Sequence, residues 1–417
     1  MIKKIIISAC LLFSILSYSQ DGTSSPYSYY GIGDLRFKGA LENRSMAGLS
    51  VAPDSIHINL DNPAGYANLK LTTYTIGGSQ NTTKQKTNNQ NASTQRITLD
   101  YLAVGLPIGK FGAGFGLIPY SSVGYKIESI STDPTINSKR FNGTGGLNKV
   151  FLGLGYKLRP NLSIGADAHY NFGGIETINL EFKPLVAMGS REMNVAYLSG
   201  VNFNIGMMYQ SKIKEKLTFF SSMNFSPESI LRSTNTRNIA TVNLLNSNFD
   251  VQVVDELENL ESVRNLRLPS KLAIGSGIGE TGKWLLGAEI TLKNKGSLVN
   301  NYNDFDNVGY ERFTKYTIGG FYKPNSKLFS SYFERIIYRA GLKYEKTGLI
   351  INAQSIIDTG FTLGLGLPIT GTFSNINIGF ELGRRGTTKA NLVQEDYANL
   401  SISFSLNDKW FVKTKYN

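Results

Sequence analysis

Apolar and polar residues alternate along much of this chain in runs of about ten residues, each closed by a tight turn. The clearest runs are Leu162 to Phe172, Val201 to Tyr209, Trp284 to Leu292, Ile376 to Leu382 and Leu400 to Leu406. In the last of these, Leu400, Ile402, Phe404 and Leu406 share one face, and Ser401, Ser403 and Ser405 share the other. Successive side chains on a strand point to opposite sides, so each run predicts a strand with one apolar and one polar face. Strand-like stretches fall at roughly 69–80, 95–108, 111–127, 147–158, 161–173, 196–210, 216–226, 269–279, 283–294, 312–322, 335–346, 356–367, 375–385 and 396–407. The links between them alternate in length. Gly109-Lys110, Arg159-Pro160, Ser211 to Glu215, Glu280 to Lys283, Pro324 to Lys327 and Pro368 to Phe373 are short. Those near 81–94, 128–146, 174–195, 227–268, 295–311, 347–355 and 386–395 are longer. Outer-membrane barrels have an even number of strands, short turns at the periplasmic end and longer loops outside. The pattern therefore predicts an all-β fold, a transmembrane antiparallel β-barrel of about 14 strands over residues 69–407.

In such a barrel the polar face looks inward, because lipid cannot satisfy polar groups. Asp167, His169 and Asn171 share one face of a predicted strand; Asn202, Asn204 and Gln210 share a face of another, and Asn377 and Glu381 of a third. With Glu289, these are the expected lumen-facing residues. The opposite faces, such as Ile164, Ala166, Ala168 and Tyr170, are expected to meet acyl chains. Tyr120, Tyr125, Tyr156, Tyr209, Tyr316 and Tyr322 fall near strand ends, where aromatic girdles form. In the long link 227–268, Val254, Leu257 and Leu260 recur at helical spacing and predict a short external helix. Beyond Asn407, residues 408–417 carry Trp410, Phe411 and Tyr416. They read as a periplasmic aromatic tail that contacts a partner, with a closing strand as the alternative.

The chain opens with Lys3 and Lys4, an apolar stretch from Ile5 to Leu16, and Ser17-Tyr18-Ser19. That is the layout of a secretory signal peptide over residues 1–19, too short to span a membrane as a helix. Lipoprotein processing at Cys10 is the weaker alternative, because the apolar run continues past that cysteine. Removal of the signal takes away the one cysteine, and with it thiol chemistry. Glycine, tyrosine and phenylalanine are abundant and proline is sparse, as in a membrane barrel. The net charge of +12 reads either as a solvated surface and lumen or as attraction to anionic lipid headgroups. No basic stripe or matching motif points to nucleic acid. The two histidines, His57 and His169, have no further ligands at metal spacing, and no Gly-x-Ser-x-Gly elbow or phosphate-binding loop is present. Neither an enzyme nor a cofactor is expected.

Residues 20–68 do not alternate. Within them Gly39-Ala40, Met46-Ala47-Gly48, Val51-Ala52, Asp54 and Asn62-Pro63-Ala64-Gly65 come in an order that resembles the N-terminal stretch of the long-chain fatty-acid channel family (FadL/TodX, with the type 9 secretion shuttle PorV as a relative). Gly112 to Tyr120, Leu152 to Gly165 and Leu268 to Ala288 extend the resemblance in the same order. It implies a barrel of about 14 strands, matching the count above, with residues 20–68 as a hatch inside it. Asn62, Pro63, Ala64 and Gly65 are then the hatch anchor. The residues alone equally describe a tight turn, in which Pro63 fixes its own backbone, Gly65 permits a bend and Asn62 makes an Asx-turn. Pro119 interrupts the third strand, where proline cannot donate to a ladder, so a break or bulge is expected. The resemblance implies a lateral opening there. The distinctly polar lumen departs from the family pattern.

Two functions follow. One is a passive outer-membrane channel for hydrophobic or amphipathic small molecules. The other is a barrel that transports nothing and serves an outer-membrane secretion or assembly complex with other envelope proteins.

Overall fold

The computed structural model describes residues 23–36, 38–133, 135–184, 186–245, 250–295, 307–325 and 330–410. The expected signal peptide, Phe411 and Tyr416 lie outside the described residues. The strands are, in chain order, β1 (Asp34–Leu35), β2 (Thr72–Lys86), β3 (Asn91–Ile108), β4 (Phe111–Ser129), β5 (Ser138–Arg159), β6 (Leu162–Phe182), β7 (Met188–Lys212), β8 (Thr218–Ser226), β9 (Ser229–Leu244), β10 (Val251–Leu268), β11 (Lys271–Glu280), β12 (Trp284–Lys293), β13 (Val308–Tyr310), β14 (Phe313–Tyr322), β15 (Ile337–Ile351), β16 (Gln354–Pro368), β17 (Asn375–Gly386) and β18 (Gln394–Asp408).

Fourteen of them close a barrel: β2 to β8, β11, β12 and β14 to β18, each antiparallel to the next. Closure runs from Gln394↔Lys86 to Asp408↔Thr72, so no residue after Asp408 is needed to seal the wall. Trp410 follows the last strand and is exposed. Alternation explains the wall. On β18, Leu400, Ile402, Phe404 and Leu406 face outward, while Ser401, Ser403 and Ser405 are buried inside.

Much of the material expected in long loops is strand instead. β4 and β5 leave only residues 130–137 between them, and β6 and β7 only 183–187. These walls rise past the apolar band, and their inner faces bury Val123, Tyr125, Ile175 and Leu198 beneath the lumen segment and Leu180, Ala240 and Val242 with one another. A hairpin of β9 and β10 extends the wall further: β7 pairs with β8 along its lower part and with β9 along its upper part. The helix expected around Val254, Leu257 and Leu260 is strand β10. Register shifts at Val253/Asp255 and Glu256/Glu258 each insert one residue, which turns a period of two into an apparent spacing of three. The expected girdle is also corrected in part. Tyr125 is buried inside against Tyr29, and Tyr120 lies under Lys149, whereas Tyr316 and Tyr322 are exposed on the outside.

The N-terminal segment occupies the lumen. Ser24 bonds Thr94 and Gln85 near the upper ends of β3 and β2. The chain then descends to Thr72 at the lower, short-turn end. Four apolar clusters dock it: Tyr27 on Leu349, Ile351, Ile356 and Leu392; Tyr29 and Ile32 on Val123, Tyr125 and Leu147; Leu41, Ile58, Leu60 and Tyr66 on Tyr101, Ala103 and Phe151; Met46, Leu49 and Val51 on Phe220 and Leu285.

Candidate functional site in the barrel lumen

Asn62 caps a short 3-10 helix, Pro63–Asn68, whose first position takes a proline without losing a useful donor. The Asn62 side chain accepts from the Ala64 N–H at 3.0 Å and donates to the carbonyls of Met207 at 3.2 Å and Met223 at 3.1 Å. The neighbouring Asp61 carbonyl accepts from Asn204 and Asn224. This wedge reaches the wall because the wall lacks side chains there. A Cβ on Gly165 would overlap Pro63, one on Gly206 would overlap Asn62, and one on Gly112 would overlap the Tyr66 carbonyl. Glycine serves here as the residue that lets one backbone approach another.

On the opposite side charge does the holding. Lys38 meets Glu381 at 3.3 Å, and Arg44 meets Asp100 at 2.9 Å and Glu381 at 3.6 Å. Lys343 of the wall bridges Glu381 at 2.9 Å and Asp358 at 3.2 Å, and Tyr397 donates to Asp358 at 2.6 Å. Asp100 points inward because β3 bulges between its pairings with Gly77 and Gly78. Glu42 accepts from Asn377 at 2.8 Å.

Lower in the segment, His57 Nδ1 lies 2.8 Å from Asp54 and its Nε2 lies 3.6 Å from Glu42. Burial works against a charged imidazole, but Asp54 and Glu42 outweigh it and hold His57 above its ordinary value. Burial likewise works to raise the Asp54 carboxyl, and His57 outweighs it and holds that carboxyl well below the usual range.

The β3–β4 ladder ends at Leu102↔Leu117 although both strands continue upward. Pro119 stands just above that point, beside a register shift against β5. In the space this leaves, the lumen segment supplies β1, which pairs Asp34↔Ser122 and Leu35↔Ser121 on the β4 edge, and the Arg36 N–H donates to Tyr120 at 2.9 Å.

Between β1 above and Gly48, Ser50 and Asn62 below lies a cavity of about 420 Å³. His169, Asn202, Glu289 and Glu381 line it. Asp167 is buried just beneath, 2.8 Å from His169 Nε2, and the Asn202 amide donates to His169 Nδ1 at 3.1 Å. Glu289 accepts from the Ser50 N–H at 3.2 Å. Trp410 lies apart from this assembly, after β18. Sequence reasoning missed β1, Lys38, Arg44, Asp100 and the inward glycines. The Gly-x-Gly spacings 112–114 and 153–155 were the available signal.

The architecture is similar to three solved hydrocarbon-channel or FadL-type structures. The CymD monoaromatic hydrocarbon channel matches at TM-score 0.58 and 11% identity, over 91% of this chain and 99% of that one. The toluene transporter TodX of Pseudomonas putida matches at 0.56 and 16%, over 90% and 98%. A FadL homologue of Pseudomonas aeruginosa matches at 0.54 and 12%, over 90% and 98%. At these identities the likeness establishes the fold. No curated protein matches the sequence. A family model described as BamG matches residues 1–417.

Proposed function

The chain belongs to the BamG family, and from that premise we propose that it is a non-transporting barrel subunit of an outer-membrane secretion or assembly complex. The observation that carries this reading is the occupied lumen. The segment is wedged against glycines on both sides of the lumen and ion-paired to buried charges on one of them, so opening it breaks several desolvated contacts at once. The cavity left above it mixes apolar side chains such as Ile32, Leu60, Tyr120 and Phe313 with many charged and amide ones, whose desolvation opposes the entry of a hydrocarbon. The tall sheet of β4 to β7 with the β9–β10 hairpin presents a large surface beyond the bilayer, as a docking platform needs. The resemblance to PorV, a secretion shuttle, is consistent with a barrel that serves other proteins. Residues 20–68 are in this reading a fixed plug anchored by Asn62 to Gly65, residues 1–19 a secretory signal that directs the chain to the outer membrane of a Gram-negative bacterium, and the segment with Trp410, Phe411 and Tyr416 a partner contact.

The gap above Leu102↔Leu117 favours a second reading, a channel for hydrophobic molecules with a lateral exit near Pro119, as the similarity to CymD and TodX suggests. In this chain β1 occupies the β4 side of that gap. Purification in mild detergent, followed by planar-bilayer recording, separates the two. The subunit reading expects stoichiometric companion proteins and no steady conductance. A barrel that purifies alone and passes a monoaromatic solute into liposomes overturns it.

A further inference from the structure

Four strands send a lysine into one side of the cavity: Lys149 from β5, Lys271 from β11, Lys293 from β12 and Lys315 from β14. Lys271 and Lys293 stand directly opposite each other in the β11–β12 ladder. Like charges opposed across an antiparallel pair repel, and here both side chains turn inward rather than into bulk water. Lys315 faces Thr291, one diagonal step from Lys293. Lys149 is buried within electrostatic reach of Lys271 and Lys293, with its ammonium 4.2 Å above the Tyr120 ring. Lys293 lies 4.2 Å above the Phe313 ring.

The nearby carboxylates, Glu345, Glu289, Asp167 and Asp61, act on the cluster across the cavity and do not contact Lys271 or Lys293. Glu345 faces Lys315 across the β14–β15 ladder. Glu289 accepts from the Ser50 N–H, and Asp167 is held by His169. Among the described residues, no carboxylate comes within 4.0 Å of Lys271 or Lys293. The contrast with Lys343, which has two carboxylates within 3.2 Å, shows that this barrel neutralises inward lysines where it packs them densely. Around Lys271 and Lys293 it leaves space instead, with the amides of Asn202 and Asn224 and the Thr291 hydroxyl lining the same cavity.

We propose that this lysine cluster binds a compact oxyanion, a phosphate or the phosphoryl group of a small phosphomonoester, entering from the outer end. The ammonium groups supply charge-assisted hydrogen bonds and the amides the remaining donors. The volume is that of a small-molecule site rather than of a single ion. This goes beyond the subunit reading: a barrel closed to passage still holds a ligand above its plug.

The test uses the full-length barrel in detergent stripped of lipid. Inorganic phosphate is titrated calorimetrically against chloride at matched ionic strength, and thermal unfolding is followed in both. A saturable heat is expected, with a melting temperature raised by phosphate and not by chloride. Lys271→Gln alone should weaken phosphate binding about tenfold, the loss of one charged hydrogen bond. The double variant Lys271→Gln/Lys293→Gln should abolish the phosphate response and, relieved of like-charge repulsion, melt above the parent in chloride. No saturable heat in the parent, or an undiminished response in either variant, overturns the proposal. So does a response to a short-chain phosphatidic acid with none to inorganic phosphate, which would make the ligand a lipid headgroup.

Discussion

Against β4 to β8 the lumen segment is held by shape: the Asn62-to-Gly65 wedge lies on inward glycines, and its bonds run from amide to carbonyl. Against β15 to β18 and the adjoining β3 it is held by charge as well, through Lys38 and Arg44 on Glu381 and Asp100, beside the inward Gly341, Gly364 and Gly379. Shape contacts act over a few tenths of an ångström and are indifferent to pH. The charged contacts tolerate small displacements, yet they fail badly when one member is lost, because the others stay buried without a partner. A segment held by both resists a change in solution conditions on one side and a small mechanical shift on the other.

Glu381→Gln attacks the charged side and should have the largest effect. It leaves Lys38 and Lys343 short of a counter-charge and should cost about 3–5 kcal/mol. The check is the temperature at which the barrel loses its compact, heat-modifiable form on electrophoresis. An unchanged temperature would show that these ion pairs contribute nothing net. Gly165→Val attacks the shape side. The added side chain meets the Pro63 backbone, which cannot swing away, and overpacking of this kind costs about 1–3 kcal/mol. Cysteine labelling at Ala64 should become faster in this variant; if it does not, the wedge is not what seats the segment.

The smallest effect is a pH dependence. His57 is raised, so its contribution is complete below the ordinary imidazole value of about 6.5 and is lost as pH climbs through the raised one. Asp54 is lowered, so its contribution is complete above about 4 and is lost in acid. The pair therefore stabilises the lower segment best between roughly pH 4 and 6.5. The difference in melting temperature between the parent and His57→Asn should shrink from pH 6 to pH 9. A difference that stays constant over that range would remove ionisation from the role of His57.

The barrel was legible in the sequence because one face of each strand meets lipid. That requirement writes a period of two into β6, β11, β12, β17 and β18, and the strand number followed. On the upper wall the outer face carries Arg232 and Thr234 and the buried inner face mixes Leu231 with Ser233 and Asn235, so the period fades, and β9 and β10 read as a loop. Bulges on β10 further disguised Val254 and Leu257 as helix. The charged lock was invisible for another reason. Lys38, Arg44, Asp100 and Glu381 are far apart along the chain, and nothing in their spacing marks them as partners. Asp100 even sits out of register on its own strand.

The path of the lumen segment constrains how the molecule is made. The segment enters beside Thr94 at the top, leaves at Thr72 at the bottom, and is ringed by a wall whose seam is β18 against β2. A finished ring cannot easily be threaded by its own leader, since Lys38, Arg44 and Tyr66 would have to pass the very side chains that grip them. The leader must be laid on the open sheet first and the seam drawn shut around it. The pairing of β18 with β2 thus decides whether the lumen segment is trapped. A weakened plug is then a defect of biogenesis, seen as unclosed chains, before it is ever a leak.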